Sequence, residues 1–303
     1  MKKKNQLRYN SFHIHLKEKF GCKVYKVSLD AGFSCPNRVG GSGCAYCCPC
    51  GSGAGAFAKK ISIEDQMKSG IQCYTESYNA EKFMPYFQAF TNTNMPVDEL
   101  KKIYDSVLAF KDVVGLCIGT RPDCVDEEKL SLIEEYAKKY YVWLEYGMQS
   151  VHDVTLEKIN RGHTFLDLKK AVELSKNRGI FICVHVILGL PGETYEDMMQ
   201  TADAVSKLGV DGLKIHLLHV VRGSVMEKWY RDGAVSLMDE ETYIKTVCDF
   251  LEVTPKNILI QRLTGERRKN LLVAPQWCLE KNKVLYRINQ ELIKRGSYQG
   301  IKV

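Results

Sequence analysis

The sequence predicts an α/β chain: a partial (βα)6 TIM-like barrel built on a parallel sheet, followed by a basic C-terminal extension. Three observations carry that prediction. Short, near-continuously apolar segments recur about every 28–40 residues from residue 85 onward. Such segments read as parallel strands buried on both faces. Stretches of helical periodicity fill the intervals, so strands and helices alternate as right-handed crossovers require. Six such units, rather than eight, favour a partial barrel over a closed one.

In chain order, the first strand candidate is KVYKVSL at 23–29, followed by PYFQAF (85–90), VVGLCIG (113–119), YVWLEYG (141–147), IFICVHVILG (180–189) and DGLKIHLL (211–218). Helices are expected over 62–77, 97–110, 126–139, 152–159 with 165–178, and 193–207. Leu100, Ile103, Val107 and Leu108 form one apolar stripe. The helix after Pro191–Gly192 starts where a helix should and stops on Gly209. Beyond residue 239 come a helix, a short strand ILIQRL, a Gly/Arg-rich loop TGERRKN and a last helix around 279–295. Residues 1–19 are expected as a basic N-terminal extension, 20–253 as the core and 254–303 as the basic C-terminal extension.

In a (βα) succession the reactive site sits on the loops at the carboxyl ends of the strands. The residues there are Thr91–Asn94, Thr120–Asp123, Glu145 with Gln149, and Gly189–Thr194. His185 and His216 alternate with apolar neighbours in a way that turns them toward the barrel interior.

Composition is that of a globular protein, with 45% hydrophobic and 26% charged residues. No apolar run approaches the roughly 18 residues of a membrane span, and the lysine-rich start has no apolar core of a secretory signal. The expected location is the cytoplasm. Charge is uneven: residues 1–30 carry eight basic and two acidic side chains, and residues 254–303 carry eleven and three. If both ends lie on one side of the fold they make a polyanion-binding surface.

Twelve cysteines in a chain expected in a reducing compartment require a reason other than disulfides. Seven are scattered: Cys22, Cys73, Cys117, Cys183, Cys248 and Cys278 read as small buried hydrophobes, while Cys124 follows a possible site loop and stays more open. Five fall in GFSCPNRVGGSGCAYCCPC (32–50), directly after the first strand. Cys35, Cys44 and Cys47 make a C-x8-C-x2-C pattern on a glycine-rich loop that can wrap round a bound object. Three thiolates suit a [4Fe–4S] cluster with one iron left open. The same residues with Cys48 or Cys50 also suit zinc, and a C-x2-C pair also suits simple redox chemistry.

Position and further motifs narrow this choice. Tyr46 before the last cysteine, LEYGMQS (144–150) and ILGLPGETYEDM (187–198) resemble, in order, the motifs of the radical SAM superfamily. The long first cysteine gap is similar to its elongator-type and methylthiotransferase-like branches. FQAFTNTN, IGTRPDC, INRGH, KIHLLHV, RLTGE, APQW and the closing Gln299–Gly300 resemble the bacterial YhcC/YtqA-type family. The chain departs from the pattern at Cys48 and Cys50, where small residues are expected.

The resemblance implies a [4Fe–4S] cluster on Cys35, Cys44 and Cys47, and S-adenosylmethionine as cofactor, cleaved to a 5′-deoxyadenosyl radical. It also implies cofactor contacts from Tyr46, Thr91, Arg121, Glu145, Gln149, Gly189 and Pro191. Arg121 is the expected fork for the methionine carboxylate, and Glu145 and Gln149 the expected holders of ribose hydroxyls or the amino group. The implied activity is tRNA wobble-uridine modification, from carboxymethylaminomethyl-uridine to aminomethyl-uridine. Its partners would be tRNA, an electron donor such as flavodoxin or ferredoxin, and a downstream methyltransferase. A peptide or small-molecule substrate is the alternative, and a non-catalytic zinc protein a third reading. Arg267, Arg268 and Lys269 with the basic C-terminal helix, helped by Lys2, Lys3, Lys4 and Arg8, are the expected phosphate contacts, which position rather than specify.

Overall fold

A computed structural model describes residues 7–39, 41, 43–47, 61–265 and 268–303. Its strands are β1 (Val24–Leu29), β2 (Lys82–Phe87), β3 (Gly115–Thr120), β4 (Tyr141–Gln149), β5 (Phe181–Leu188), β6 (Gly212–Leu217), β7 (Val220–Val221), β8 (Leu259–Arg262) and β9 (Leu272–Ala274). The helices are α1 (Phe12–Phe20), α2 (Ile63–Tyr78), α3 (Val97–Leu108), α4 (Glu127–Ala137), α5 (Asp153–Lys158), α6 (Phe165–Ser175), α7 (Tyr195–Lys207), α8 (Val225–Arg231), α9 (Glu240–Glu252) and α10 (Lys281–Lys294).

The main sheet runs β1-β2-β3-β4-β5-β6-β8, and every neighbouring pair is parallel. A small antiparallel pair, β7 with β9, stands beside it. This is the partial TIM-like barrel expected, with seven strands where six units were counted. The seventh, β8, is the short strand expected at ILIQRL; it spans four residues and joins the parallel sheet beside β6.

Side-chain alternation sorts each strand onto two faces. On β4, Val142, Leu144, Tyr146 and Met148 join the apolar layer beneath the helices. Tyr141 and Trp143 turn the other way, into a smaller apolar cluster inside the barrel. Further along the same face, Glu145, Gly147 and Gln149 reach a polar cavity. The barrel interior is thus greasy at the strand starts and polar at the strand ends.

Residues 12–20, expected as part of an extension, form the plug of that greasy end. Phe12 and Leu16 enter the interior cluster, with the Phe12 ring edge-on to Trp143 at 5.1 Å. Phe181 stacks on the same indole at 5.3 Å. Trp143→Ala removes a fully buried indole from this contact set and is expected to destabilise the fold by about 3–5 kcal/mol, read as a lower urea midpoint at unchanged slope.

The C-terminal 254–303 segment also joins the body. β8 completes the sheet, and Val284, Ile288 and Leu292 of α10 enter the main apolar layer. The two chain ends meet: the Asn10 amide donates to Gln299 Oε1 at 2.8 Å, and the Ile260 amide to the Asn10 carbonyl at 2.8 Å. No helix among the described residues is long and apolar enough to cross a membrane.

Candidate active site

One cavity opens at the carboxyl ends of the strands. Cys35, Cys44, Tyr46, Cys47, Thr91, Arg121, Glu145 and Gln149 all line it, together with Arg38, Tyr86, Arg161, His185, His216, His219 and Arg262. The loop after β1 therefore brings its three cysteines to the place where a (βα) fold does its chemistry.

The cysteine loop is held from outside by residues 159–163, the INRGH motif. The Ala45 amide donates to the Ile159 carbonyl at 2.8 Å, and Asn160 Nδ2 to the Gly43 carbonyl at 2.9 Å. Arg161 lies buried against the thiol, its Nη1 3.5 Å from Cys44 Sγ, while Asn37 Nδ2 lies at 3.4 Å. Burial by itself would raise the Cys44 pKa, but the Arg161 charge and hydrogen bonds from Arg161, Tyr46 and Asn37 bring it below the usual thiol value. Arg161 is anchored in turn by the Gly147 carbonyl, 2.9 Å from Nη2. A Cβ at Gly147 would lie 2.6 Å from both Arg161 Nη2 and Gln149 Nε2, so a side chain there would displace these two groups.

These residues fit the group that the cysteine pattern implies. The thiol set is chemically right, and the Thr91 hydroxyl, on the cavity wall, is buried without a hydrogen-bond partner among the described residues. Among the described residues, no three His, Cys, Asp or Glu side chains converge as they would on a single metal ion. Cys35, Cys44 and Cys47 would hold the cluster, each through its thiolate.

Deeper in the cavity, Glu145 is fully buried in an ion cluster. Lys26 Nζ donates to its Oε1 at 2.7 Å, His185 Nε2 lies 2.9 Å from Oε2, and Lys214 Nζ pairs with the same oxygen. Lys26 also donates to Gln261 Oε1 at 2.6 Å, and Lys214 to the Tyr86 hydroxyl at 2.9 Å. Burial would raise the Glu145 pKa, but the two ammonium groups and His185 hold it well below the carboxylate range. Burial, with like charge from Lys26 and Arg262, brings Lys214 down to about 8 against the pull of Glu145. His185 falls to about 4, through burial first and then the Lys214 charge.

Several expected roles change once these contacts are seen. Arg121 was expected as a carboxylate fork, yet its Nε and Nη2 already hold Asp123 at 2.9 and 2.7 Å. Its Nη1 and Nη2 also donate to the carbonyls of Arg161 and Gly162 at 2.6 and 2.8 Å. It is a clamp on the INRGH turn. Glu145, expected at ribose hydroxyls, has both oxygens occupied by cations. Gly189 and Pro191 do not line the cavity. Gly189 has a left-handed φ of 79°, and a Cβ there would meet Met238 Sδ at 3.0 Å, so its need for glycine is local packing.

Gln149 lies on the wall with a left-handed φ of 71° at the bulge in β4. That strained backbone is common where a side chain is aimed at a site. Sequence reasoning missed Lys26, Lys214, Arg161 and Arg262. A signal existed for the lysines, each an isolated charge in an otherwise apolar strand. Arg161 lies in the INRGH motif, whose spacing by itself points to no chemical role.

α1 carries Lys17 and Lys19 at the plugged end of the barrel, away from the cavity. On α10, Arg287 pairs with Glu240 and Glu241, and Arg295 with Asp249, Glu252 and Glu291, so acidic α9 offsets much of the C-terminal excess. Arg268 and Lys269 are exposed on the loop between β8 and β9. Arg267, Lys2, Lys3, Lys4, Cys48 and Cys50 lie outside the described residues.

Comparison with known proteins agrees with this geometry. Residues 35–205 match the radical SAM superfamily model, and 210–294 match the radical SAM C-terminal domain. The chain is 42% identical over 296 residues to the uncharacterised protein YtqA of Bacillus subtilis, covering 97% of this chain and 92% of that one. It is 28% identical over 180 residues to a tRNA uridine(34) acetyltransferase of Methanocaldococcus infernus, covering 58% of this chain and 33% of that one. Among solved structures, Elp3 of the same archaeon superposes with a TM-score of 0.69 at 18% identity, covering 91% of this chain and 64% of that one. The chain belongs to the radical SAM superfamily, whose enzymes use a [4Fe–4S] cluster and S-adenosylmethionine, and within it to the family of YtqA.

Proposed function

We propose that this enzyme modifies the wobble uridine of tRNA, converting carboxymethylaminomethyl-uridine to aminomethyl-uridine in the cytoplasm. The observation that carries the reading is the pairing of a strand-end cavity, lined by three cysteines and four arginines, with an exposed Arg268–Lys269 pair on the loop that follows β8. The relative named as a tRNA uridine(34) acetyltransferase supports the same substrate class. An anticodon-loop base can be splayed out of its stack to reach such a cavity.

In this reading Cys35, Cys44 and Cys47 hold the cluster, and Tyr46, Thr91 and Gln149 contact S-adenosylmethionine. When bound, the reduced cluster and its cofactor supply hydrogen-atom abstraction, which is the cofactor's chemistry rather than the protein's. The chain's part is placement. Arg161 and Asn37 steady the Cys44 thiolate, Arg121 holds the INRGH turn against the cysteine loop, and the apolar plug keeps water from the far end of the barrel. A flavodoxin or ferredoxin would deliver the electron, and a separate methyltransferase would act on the product.

The test is anaerobic production of 5′-deoxyadenosine with and without tRNA bearing carboxymethylaminomethyl-uridine. The reading requires that the tRNA raise the yield and that its nucleoside lose the carboxymethyl mass. Cleavage unaffected by tRNA would point to a peptide or small-molecule substrate instead. For the phosphate contacts, Arg268→Ala with Lys269→Ala is expected to weaken tRNA binding uniformly across sequences. The log–log salt slope should become shallower by roughly 0.7 per contact removed, read by filter binding over a salt series.

A further inference from the structure

The inner part of the cavity carries more positive charge than the protein neutralises. Among the described residues Glu145 is the sole carboxylate lining it, and both its oxygens are already bound, by Lys26 on one side and by Lys214 and His185 on the other. Two ammonium groups face one carboxylate, and Arg262 adds a third cation. An excess of buried charge is costly unless an opposite charge arrives to meet it.

Arg262 reaches this place through an irregularity in the sheet. β8 pairs in register with β6 at Gly212–Leu259 and Leu213–Ile260, and then slips, so that Lys214 lies opposite Arg262 and not Gln261. In an unbroken strand Arg262 would share the face of Ile260, which packs beneath the helices. The extra residue turns Arg262 inward beside Lys214, and bulges of this kind re-aim side chains at sites. Among the described residues no hydrogen bond or ion pair engages its guanidinium, and it lines the cavity beside His185 and His216, whose rings lie 5.4 Å apart.

We propose that this inner region is a carboxylate-binding site that receives the acidic end of the substrate's side arm, with the Arg262 guanidinium as its principal donor and Lys214 as a supporting charge. A guanidinium fork matches a carboxylate with two parallel hydrogen bonds. The identification of that arm as the carboxymethylamino group of a uridine rests on the RNA reading above; the carboxylate site does not. The site would tell the enzyme's substrate from its product, because the product has lost the group that Arg262 holds.

The test is equilibrium binding to the reconstituted protein, with four probes: 5-carboxymethylaminomethyl-uridine, 5-aminomethyl-uridine, acetate and S-adenosylmethionine. Wild type is expected to bind the carboxylate-bearing nucleoside roughly tenfold or more tightly than the aminomethyl one. Arg262→Gln should reduce that preference to under about twofold, Arg262→Lys should keep part of it, and affinity for S-adenosylmethionine should be unchanged. Arg262→Gln that keeps the full preference overturns the proposal. So does loss of S-adenosylmethionine binding with nucleoside preference intact, since the carboxylate held would then be the cofactor's own. Acetate binding that depends on Arg262, with no preference between the nucleosides, keeps the carboxylate site and removes the RNA reading. Absence of any acetate binding in wild type removes the site whatever the substrate.

Discussion

Alanine at Cys35, Cys44 or Cys47 is expected to strip the protein of bound iron and to reduce S-adenosylmethionine cleavage to background, whichever of the three is replaced. Each thiolate would bind a different iron, so a cubane loses a corner with each substitution and the remaining two cannot hold it. Iron content and the visible absorption of the reconstituted protein read this directly, without an activity assay. Cys73, expected as a buried hydrophobe but exposed on α2, is the matched control, and Cys73→Ala should keep full iron. Cys48→Ala and Cys50→Ala should also keep it, because three ligands suffice. A Cys44→Ala protein that stays brown and still cleaves S-adenosylmethionine would defeat the assignment. Full iron loss from Cys48→Ala would instead move a ligand to that position.

The second large effect is expected at Glu145. Its carboxylate is fully buried, and Lys26 and Lys214 are almost so, with side-chain exposures of 17% and 4%. Glu145→Gln keeps the volume but leaves two ammonium groups without a counter-charge, a change that costs about 3–5 kcal/mol when one partner of a buried pair is removed. The loss is read by urea denaturation at pH 7.

Its pH dependence follows from the shifts. In wild type the depressed Glu145 contributes stability that is present above the ordinary carboxylate value of 4.5 and is lost as pH falls through its lower folded value. His185, neutral in the fold down to about 4 against an ordinary 6.5, makes acid unfolding begin earlier, since the unfolded chain binds the proton first. Lys214 acts at the other end. With a folded value of about 8 against 10.5, the unfolded state holds more protons between those limits, so stability rises with pH there. Glu145→Gln should enlarge that alkaline recovery, because the lysine it strands becomes harder still to charge. A variant with unchanged stability at pH 7 and no alkaline recovery would show that the ion cluster is solvated and exposed, contrary to the geometry described.

Legibility in the sequence tracked how local each feature is. The first six strands and the helices between them were readable because their apolar periods run for six or more residues. α7, expected over 193–207, spans Tyr195–Lys207 with a capping box of Thr194 and Asp197. The cysteine loop stands out by spacing and composition, and its position after β1 with the motifs further along the chain narrows what it holds. α1 was not recognised as a plug, because lysines on its outer face dominate its composition while Phe12 and Leu16 do the packing. The basic C-terminal helix was read as an RNA surface because its arginines are visible in sequence and the acidic α9 opposite them is not identifiable as their partner.

The sequence by itself determined the alternation of strands and helices, the three-cysteine loop after β1 and the family to which both belong. Those are properties of short-range pattern and spacing, which survive without knowledge of what lies across the barrel. Only the tertiary structure decided which polar residues remain available to a ligand. Arg121 and Glu145 were chosen for their chemistry, and both are occupied by Asp123, by carbonyls, and by two lysines drawn from strands distant in the chain. Arg262 had no visible role until a one-residue slip in β8 turned it inward. A side chain's hydrogen-bonding capacity is set by its type, whereas its freedom to use that capacity is set by neighbours that folding brings from elsewhere.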